Sequence, residues 1–284
     1  MKSGPLVSVL MTAYNREKYI GEAIASVRAS TLEDWELIVV DDASRDRTVE
    51  VAREAAVGDP RIRILVNPEN LTDYRNRNRA ASLARGKYLK YVDSDDMIYP
   101  HGLEVMTKMM ERFPRAGLGL SSEGEDDRMF PIELSPVEAY RIHFLRRELF
   151  GRAPGSAILR REAFEAVGGF SGARYIGDTE CWLKICKTYP LVLLPRDLVW
   201  DRTHGQQEKF YMTGKDVKDY SAAAVGFEAR ALKTPGCPLY ESEIKQALQK
   251  RKKESLKNAA RYFLRGRWGL AFLEWKKSME WRRF

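Results

Sequence analysis

Residues 87–96 have the sequence KYLKYVDSDD. A short run of apolar, β-branched and aromatic side chains is typical of a buried strand, and this run passes directly into a polar quartet with three aspartates. Three carboxylates within four residues repel one another, and a hard divalent cation with oxygen ligands would neutralise them. A solvated loop at the strand end is the alternative interpretation of the quartet taken alone.

The chain before this stretch alternates between strand and helix patterns at short spacing. The strand patterns cover Leu6–Met11, Glu36–Val40, Arg61–Val66 and Lys87–Val92, and the helix patterns cover Glu17–Ala29, Thr48–Ala56 and Asn76–Ala84. Such alternation favours βαβ units and a parallel sheet, whose ligands bind at the carboxyl ends of the strands. Because the first two strands run into residues 12–15 and 41–42, we expect three polar loops on one rim of the sheet.

The bulk properties set broad limits on function. The 284 residues are 44% hydrophobic, which suffices for one large α/β domain with a small appendage. The net charge of +8 suits a phosphate-bearing substrate, an anionic membrane or nucleic acid without choosing among them. No apolar run approaches the roughly 20 residues that span a bilayer, and no signal peptide is indicated. Three scattered cysteines predict neither a disulfide framework nor a zinc site, and they favour a cytoplasmic location.

Four segments together resemble the motifs of family 2 glycosyltransferases. They are VSVLMTAYN at 7–15, VVDDASRD at 39–46, RNRA at 77–80 followed by ARGKY at 84–88, and DSDD at 93–96. Their order and spacing agree with the family over residues 5–100, and the resemblance is weaker to about residue 205 and absent beyond it. It implies an α/β GT-A fold, which is a Rossmann-like, mixed and mostly parallel sheet flanked by helices, here with a C-terminal helical extension.

The resemblance also implies a division of the chain. We expect the nucleotide-sugar-binding half over 1–100, the acceptor-binding half over 101–205 and a basic helical extension over 206–284. Residues 123–128 are acidic and predict a loop, and residues 205–215 predict a mobile polar loop.

The donor contacts implied by the resemblance lie in the first half. Thr12, Tyr14 and Asp42 would hold the uracil and ribose of a nucleotide-diphosphate sugar, and Asp93 or Asp95 would reach the ribose. The other predicted donor contacts are Ala13, Asn15, Arg77 and Ser94. On the residues alone, one of Asp41 and Asp42 caps the next turn and the other accepts hydrogen bonds from the donor.

The same resemblance places a metal at the quartet. Asp95, with Asp96 as a further ligand, would bind Mn²⁺ or Mg²⁺ bridging the diphosphate, although family members differ in which aspartate touches the metal. A cation there stabilises the charge that grows on the leaving nucleoside diphosphate. His204 occupies a position where the family often has a histidine near the diphosphate or metal. An ordinary loop histidine is the alternative.

An inverting transfer needs a base for the proton of the acceptor hydroxyl. In the family this base is an aspartate after a Gly-Gly-Phe element, which is 168–170 here, and Asp178 fits its position. The family often has Glu-Asp there, whereas this chain has Gly177-Asp178. Glu180 is the competing candidate, and a helix-capping aspartate is the purely structural alternative. Residues 155–157 would lie beside the acceptor pocket, or form an ordinary turn before a strand.

The tail combines basic and aromatic residues. The basic residues from 250 onward include Arg251, Lys252, Lys253, Arg261, Arg265, Arg267, Lys276, Lys277, Arg282 and Arg283. Tyrosine, phenylalanine and tryptophan lie between them, a pattern typical of helices at an anionic membrane surface. A helical pair packed on its own domain, or on a second subunit of a homodimer, is the alternative. No motif that reads RNA or DNA accompanies the patch, so nucleic acid is not an expected partner.

These observations predict an inverting, metal-dependent glycosyltransferase that moves a sugar from a UDP-sugar to a saccharide or lipid-linked saccharide. It would be cytoplasmic or peripheral on the inner face of the membrane. One alternative is a sugar nucleotidyltransferase, but the loop after the first strand lacks the glycines that such enzymes use. The other is a non-catalytic module that binds nucleotide sugars or membranes.

Overall fold

A computed structural model describes residues 4–122, 128–174, 176–205 and 226–283, without the side chains of Arg282 and Arg283. The loops predicted at 123–128 and 205–215 fall outside these ranges except for Arg128 and Gly205. For Arg282 and Arg283, the last two arginines of the predicted basic tail, only the backbone is therefore described.

The first hundred residues contain the strands and helices that their pattern predicts. In chain order they are β1 Val7–Ala13, α1 Ile20–Arg28, β2 Trp35–Asp41, α2 Thr48–Ala56, β3 Ile62–Val66, α3 Asp73–Ser82 and β4 Tyr88–Tyr91. Every residue of β2 is buried, as in a strand covered on both faces. The apolar side of α1, with Ile20, Ile24 and Val27 fully buried, covers one of those faces.

The following segment is built from shorter elements. They are β5 Met97–Ile98, α4 Gly102–Glu111, β6 Leu118–Ser121, β7 Ile132–Leu134, α5 Pro136–Arg141, a π-helical turn Ile142–Arg146, a 3₁₀ turn Pro154–Ser156, β8 Ala157–Arg160, α6 Arg161–Ala166, α7 Gly177–Cys186, β9 Leu191–Leu194 and β10 Val199–Trp200. Strands β5, β6, β7 and β10 were not predicted. β6 has only four residues and contains Gly119, whose missing side chain leaves room for Ile158 and Met110.

Eight strands form one sheet in the order β3-β2-β1-β4-β8-β6-β9-β7. The neighbours β3-β2, β2-β1, β1-β4 and β6-β9 are parallel, whereas β8 and β7 run against their neighbours. The predicted mixed, mostly parallel sheet flanked by helices is therefore confirmed. β5 and β10 pair separately as a small antiparallel ribbon.

The chain divides into two compact units. One comprises residues 1–135 with 152–203, and the other comprises 136–151 with 204–284. In the second unit, α5 and its π-helical turn are grouped with a helix α8 (226–233), α9 Glu241–Leu264 and α10 Trp268–Arg283. The predicted C-terminal helical extension is present as α9 and α10, which pack along each other. The turn that joins them contains Gly266 at φ 67°. No helix in the described ranges is both long and apolar enough to cross a bilayer.

Candidate active site

Three polar loops meet at one rim of the sheet, as the strand order predicts. The parallel register pairs Ala13 of β1 with Asp41 of β2, and the amide of Asp42 donates a hydrogen bond to the carbonyl of Ala13 at 2.8 Å. On the other side of β1, the amide of Val92 donates to the carbonyl of Leu10 at 3.0 Å. The polar residues after β1, β2 and β4 thus leave the sheet side by side.

The loop after β1 is held by the loop after β2. Asn15 has a φ of 54°, a left-handed conformation that asparagine tolerates better than most residues. Its amide donates to Ser44 Oγ at 2.9 Å, and its Oδ1 accepts from the amide of Arg45 at 2.9 Å. Thr12 is half-buried and Ala13 is buried in the strand end, whereas Tyr14 is exposed. These residues line the rim at the place predicted for the donor base and ribose.

Both aspartates after β2 accept hydrogen bonds from their own neighbourhood. Asp41 Oδ2 accepts from the amide of Ser44 at 2.9 Å, which closes the turn. Asp42 Oδ1 accepts from Asn67 Nδ2 at 2.6 Å and from the amide of Leu71 at 2.8 Å, and its Oδ2 accepts from the amide of Thr72 at 3.0 Å. Asp42 therefore holds the loop between β3 and α3. A carboxylate has about four acceptor positions, so a donor contact by Asp42 stays a prediction.

The quartet after β4 is held by arginines from elsewhere in the chain. Arg77 Nη2 lies 2.8 Å from Asp93 Oδ1, and Arg16 Nε lies 3.2 Å from Asp95 Oδ2. The amide of Arg202 donates to Asp96 Oδ1 at 2.9 Å, and its Nε donates to the carbonyl of Asp95 at 3.0 Å. Cationic side chains that converge on the acidic loop stabilise it without a bound ion.

Burial separates Asp96 from the other two aspartates. Asp96 is 8% exposed, and this burial raises the pKa of its carboxyl to about 7, assisted by the negative charge of Asp93. Ser94 is buried beside it. Like charges and desolvation both raise the pKa of Asp96, so a cation placed beside it would favour its ionised form.

Lys90 lies fully buried in β4, three residues before the quartet. Its Nζ donates a hydrogen bond to the carbonyl of Gly155 in the turn before β8. Burial lowers the pKa of its ammonium to about 7, against the opposing effect of the nearby carboxylates of Asp93 and Asp201. Lys90 thereby connects the strand that carries the quartet to the 155–157 turn predicted beside the acceptor pocket.

The carboxylates of the quartet fit a cation that also takes ligands from its substrate. Within the described ranges, no three histidine, cysteine, aspartate or glutamate side chains converge as a metal site. Mg²⁺ and similar ions are commonly held by one or two carboxylates together with substrate phosphate oxygens. Asp95 and Asp96 would supply the protein's part of such a set.

Asp178 lies at the start of α7, half-buried. Burial raises the pKa of its carboxyl, whereas the amide of Thr179, which donates to Asp178 Oδ1 at 2.7 Å, and the charge of Arg77 act to lower it. The amide of Asp178 itself donates to Tyr74 Oη at 3.3 Å. A partly desolvated carboxylate with a raised pKa has the character of a general base.

Gly177 is in contact with the same tyrosine. A Cβ at position 177 would lie 2.8 Å from Cε2 of the Tyr74 ring, so the close approach of the ring requires glycine there. This contact accounts for the glycine at a position where the family often has glutamate.

The Gly-Gly-Phe element is fastened to α3. Asn78 Nδ2 donates to the carbonyl of Phe170 at 2.8 Å, and the amide of Phe170 donates back to Asn78 Oδ1 at 3.0 Å. The Phe170 ring contacts Tyr74, Tyr91 and Trp182, with centroid distances of 5.1, 5.6 and 5.9 Å. This aromatic cluster fixes the chain segment that leads to Asp178.

Helix α3 brings the quartet and Asp178 together. Tyr74 and Arg77 are three residues apart, which places them on one face of the helix. Tyr74 accepts the amide of Asp178, while Arg77 forms the ion pair with Asp93 and lies close enough to Asp178 to influence its pKa. The quartet after β4 and Asp178 are therefore both held by contacts with α3.

The two remaining candidates differ from Asp178. Glu180 accepts a hydrogen bond from Ser171 and forms an ion pair with Lys184 at 3.1 Å, so its carboxylate is already engaged. His204 belongs to the other compact unit, and its role as a metal ligand stays a prediction. Cys181 and Cys186 are buried free thiols.

Sequence reasoning missed the cations around the quartet. Arg16 and Arg202 lie 79 and 106 residues from their partners Asp95 and Asp96. No local pattern relates residues so far apart. A lysine inside an otherwise apolar strand was, however, a visible signal at Lys90, because a buried lysine needs a partner.

Comparison with known proteins identifies the family. The family model named "Glycosyl transferase family 2" matches residues 8–168, which is more than half of the chain. The Bacillus subtilis protein named glycosyltransferase EpsE is 38% identical over 196 residues, or 65% of this chain and 68% of its own length. A Methanocaldococcus jannaschii glycosyltransferase, MJ1057, is 40% identical over 109 residues, or 38% of either protein.

Solved structures share the fold. TarS from S. aureus, in a structure with UDP-GlcNAc, superposes with a TM-score of 0.69 over 98% of this chain and 91% of that chain, at 16% identity. The mannosyltransferase PcManGT from Pyrobaculum calidifontis, in a structure with GDP-Man and Mn²⁺, gives 0.61 over 99% and 87%, also at 16% identity. At such low identity these structural matches show the fold alone. The family is shown by the sequence match over residues 8–168, which extends from β1 to β8. The chain belongs to glycosyltransferase family 2.

Proposed function

We propose that the chain is an inverting, metal-dependent glycosyltransferase that transfers a sugar from a UDP-sugar to an acceptor hydroxyl. The observation that carries the proposal is the position of Tyr74 and Arg77 on α3, which links the carboxylates after β4 to Asp178. A donor site and a base held by one helix suit a direct displacement, in which the base acts on the face of the sugar opposite the diphosphate.

The donor would lie along the rim formed by the loops after β1, β2 and β4. Thr12, Tyr14 and Asp42 would contact uracil and ribose, and Arg77 would add a donor for the diphosphate. Arg77 Nη1 is buried and has no hydrogen-bond partner within the described ranges, so an incoming acceptor atom would satisfy it. The related structures support a nucleotide-sugar donor, since those of TarS contain UDP or UDP-GlcNAc and that of PcManGT contains GDP-Man with Mn²⁺.

The chemistry divides between the carboxylates after β4 and Asp178, which both contact the first half of α3. Asp95 and Asp96 would hold Mn²⁺ or Mg²⁺, and this ion would neutralise the charge of the nucleoside diphosphate as it leaves. Asp178 would accept the proton of the acceptor hydroxyl as its oxygen bonds to the anomeric carbon. The amide of Thr179 keeps one carboxylate oxygen of Asp178 in place, which leaves the other for the acceptor.

The remaining assignments follow from this division. Residues 1–100 would bind the donor, 101–205 the acceptor, and 206–284 would form the extension. The acceptor would be a saccharide or a lipid-linked saccharide, in polysaccharide or glycoconjugate biosynthesis at the cytoplasmic side of the membrane. Lys90 supports an acceptor role for the 155–157 turn, because it fixes that turn to the donor strand.

A ligand panel tests the proposal. Thermal unfolding of the full chain is measured with UDP, GDP, ADP or CDP, each with and without Mn²⁺, and UDP release from UDP-sugars is measured in parallel. A ligand at 100 times its Kd that binds only the native state adds about 2.7 kcal/mol, so the true donor nucleotide raises Tm clearly. UDP with Mn²⁺ is expected to give the largest rise. Equal Tm values with every nucleotide would contradict a donor site at this rim.

A further inference from the structure

Helix α10 has one apolar face that is buried in its own unit. Ala271, Ser278 and Trp281 are at most 8% exposed, and Trp281 packs against Ala229 and Leu248. This face is the one by which α10 packs within its unit.

The other face of α10 is also apolar, yet it is exposed. Trp268, Phe272, Trp275 and Met279 follow one another at intervals of four, three and four residues, which places them in one stripe along the helix. Trp268 is 63% exposed and Phe272 is 64% exposed. Large aromatic side chains lose favourable burial in such positions, and contiguous exposed apolar patches mark interaction sites.

The stripe continues across the turn into α9. Phe263 and Trp268 contact each other edge to face with centroids 4.6 Å apart, and Phe272 stacks on Trp275 at 5.8 Å. Leu264, at the end of α9, is 84% exposed. We name the exposed apolar residues of both helices the aromatic ridge: Leu256, Phe263, Leu264, Trp268, Phe272, Trp275 and Met279.

The charges around the aromatic ridge are predominantly basic. Apart from Glu254, whose side chain is 43% exposed, the exposed charged side chains from residue 253 to residue 276 are basic, namely Lys253, Lys257, Arg261, Arg265, Arg267 and Lys276. Both acidic residues of the same stretch have basic partners. Glu274 pairs with Lys277 at 2.7 Å, and Glu254 lies 3.8 Å from Lys250.

We propose that the aromatic ridge and its basic border bind an anionic lipid bilayer. Tryptophan and phenylalanine favour the boundary between headgroups and acyl chains, and each nearby lysine or arginine adds attraction to anionic lipid. A second copy of this chain is the poorer occupant, because in a symmetric dimer the same patch faces itself and would bring six like charges against six. The proposal concerns the tail alone and is independent of the sugar transfer.

Vesicle sedimentation tests this binding without an acceptor or donor. The full chain is centrifuged with vesicles of phosphatidylcholine, or of phosphatidylcholine with about one-third phosphatidylserine, at low and high salt. Three variants are compared with the parent: Leu264→Ser/Trp268→Ser/Phe272→Ser, Lys253→Glu/Lys257→Glu, and the control Arg53→Glu/Arg112→Glu. The control makes the same change in net charge at exposed positions in the sheet unit.

The parent and the control are expected to sediment with anionic vesicles at low salt and to be released by high salt. The serine variant should lose sedimentation, and the Lys253→Glu/Lys257→Glu variant should bind at least about 25-fold more weakly, since about 1 kcal/mol per basic residue corresponds to about fivefold each. Because all of these side chains are exposed, the unfolding curves of the variants should match that of the parent. A parent chain that stays in the supernatant at low salt would overturn the proposal. So would a concentration-dependent dimer that the serine variant abolishes, which would make a second copy the occupant.

Discussion

Two groups of aspartates leave the same rim of the sheet, after β2 and after β4, and they are held in different ways. Asp41 and Asp42 accept hydrogen bonds from neutral donors, mainly backbone amides of the adjoining loops. Asp93 and Asp95 instead pair with the guanidinium groups of Arg77 and Arg16, and Asp96 has a pKa raised to about 7.

The difference separates loop structure from chemistry. A carboxylate that is surrounded by amides of its own loop stabilises the fold, as a helix cap does. A carboxylate that is desolvated next to like charges, as Asp96 is, is unfavourable in its ionised form, and such sites are frequently functional. Asp178 shares features of both groups, since its carboxylate accepts a hydrogen bond from a backbone amide and its pKa is raised.

Replacing Asp178 therefore has the largest expected effect. In Asp178→Asn the amide oxygen can still accept the Thr179 N–H, so the fold and the binding of UDP with Mn²⁺ should be retained. The turnover number for sugar transfer should fall by roughly 10²–10⁴-fold, the usual contribution of a general base. Steady-state transfer and nucleotide titration measure the two effects separately.

Glu180→Gln is the matched control for this variant, because it removes one charge from the same turn of α7. It should reduce turnover much less, since Glu180 is already engaged by Ser171 and Lys184. Normal turnover in Asp178→Asn with loss in Glu180→Gln would move the base to Glu180. It would also place Asp178 with the structural aspartates after β2.

Replacing Asp95 tests whether the β4 group binds metal. Asp95→Asn keeps the side-chain shape but removes the charge beside Arg16, so the Mn²⁺-dependent affinity for UDP should fall by at least the roughly 10–100-fold that a lost metal-site partner costs. Calorimetric titration of UDP with and without Mn²⁺ measures this change. Asp34→Asn, an exposed aspartate before β2 at the opposite end of the sheet, is the control. Equal metal dependence in the two variants would remove the distinction between the groups.

Stability should respond in opposite directions at the two strand ends. Asp42→Ala removes the acceptor of the half-buried Leu71 amide, whereas the Thr72 amide keeps Asn70 Oδ1 at 3.0 Å as an acceptor. An unsatisfied donor costs about 1–3 kcal/mol, so the free energy of unfolding should fall by about that amount. Asp96→Asn should raise it at pH 8 in metal-free buffer, while its Oδ1 still accepts the Arg202 amide.

The sign for Asp96 follows from its pKa. The folded-state pKa of about 7 lies above the unfolded value of about 3.9, so the folded protein binds this proton more tightly. The carboxyl therefore lowers stability progressively as pH rises from about 4 to about 7, and the loss is complete above 7. Urea unfolding of both variants at pH 8 tests the contrast, and an unstable Asp96→Asn would contradict it.

The pH dependence of turnover has the smallest expected effect. A base must be ionised to act, so the turnover number should fall about tenfold per pH unit below the pKa of Asp178. Since burial raises that pKa, the acid limb should lie above the ordinary aspartate range. Asp178→Asn should lose this limb. A parent profile that stays flat down to pH 4 would be evidence for an exposed, unperturbed carboxylate.

Local patterns were sufficient for most of the first hundred residues of the fold. β2 is a run of seven buried residues, and α2 begins and ends at the predicted Thr48 and Ala56, because periodicity and composition act over a few neighbouring residues. The β6 strand was missed since its four residues include Gly119, which packs only because Ile158 lies against it. Contacts of this kind depend on the folded sheet.

The residues of the site likewise fall into those that local motifs predicted and those that only the folded structure identifies. Motifs located the carboxylates of the quartet and Asp178, since each stands directly beside a strand or helix end. The arginines that hold them come from α3, from the loop after β1 and from beyond β10, and only the folded chain brings these together. In the tail, Trp281 is packed within its unit, whereas Phe272 is exposed, so the helices carry both buried and exposed aromatic side chains.

The contact between Gly177 and Tyr74 constrains how this chain could change over evolution. The Tyr74 ring is 7% exposed and cannot move aside easily, and any Cβ at position 177 would overlap it. A change to glutamate at 177 is therefore accessible only after Tyr74 has become smaller, and that first change removes the phenol that accepts the Asp178 amide. Substitutions at positions 74 and 177 therefore depend on each other, and the order in which they occur decides whether Asp178 keeps its position.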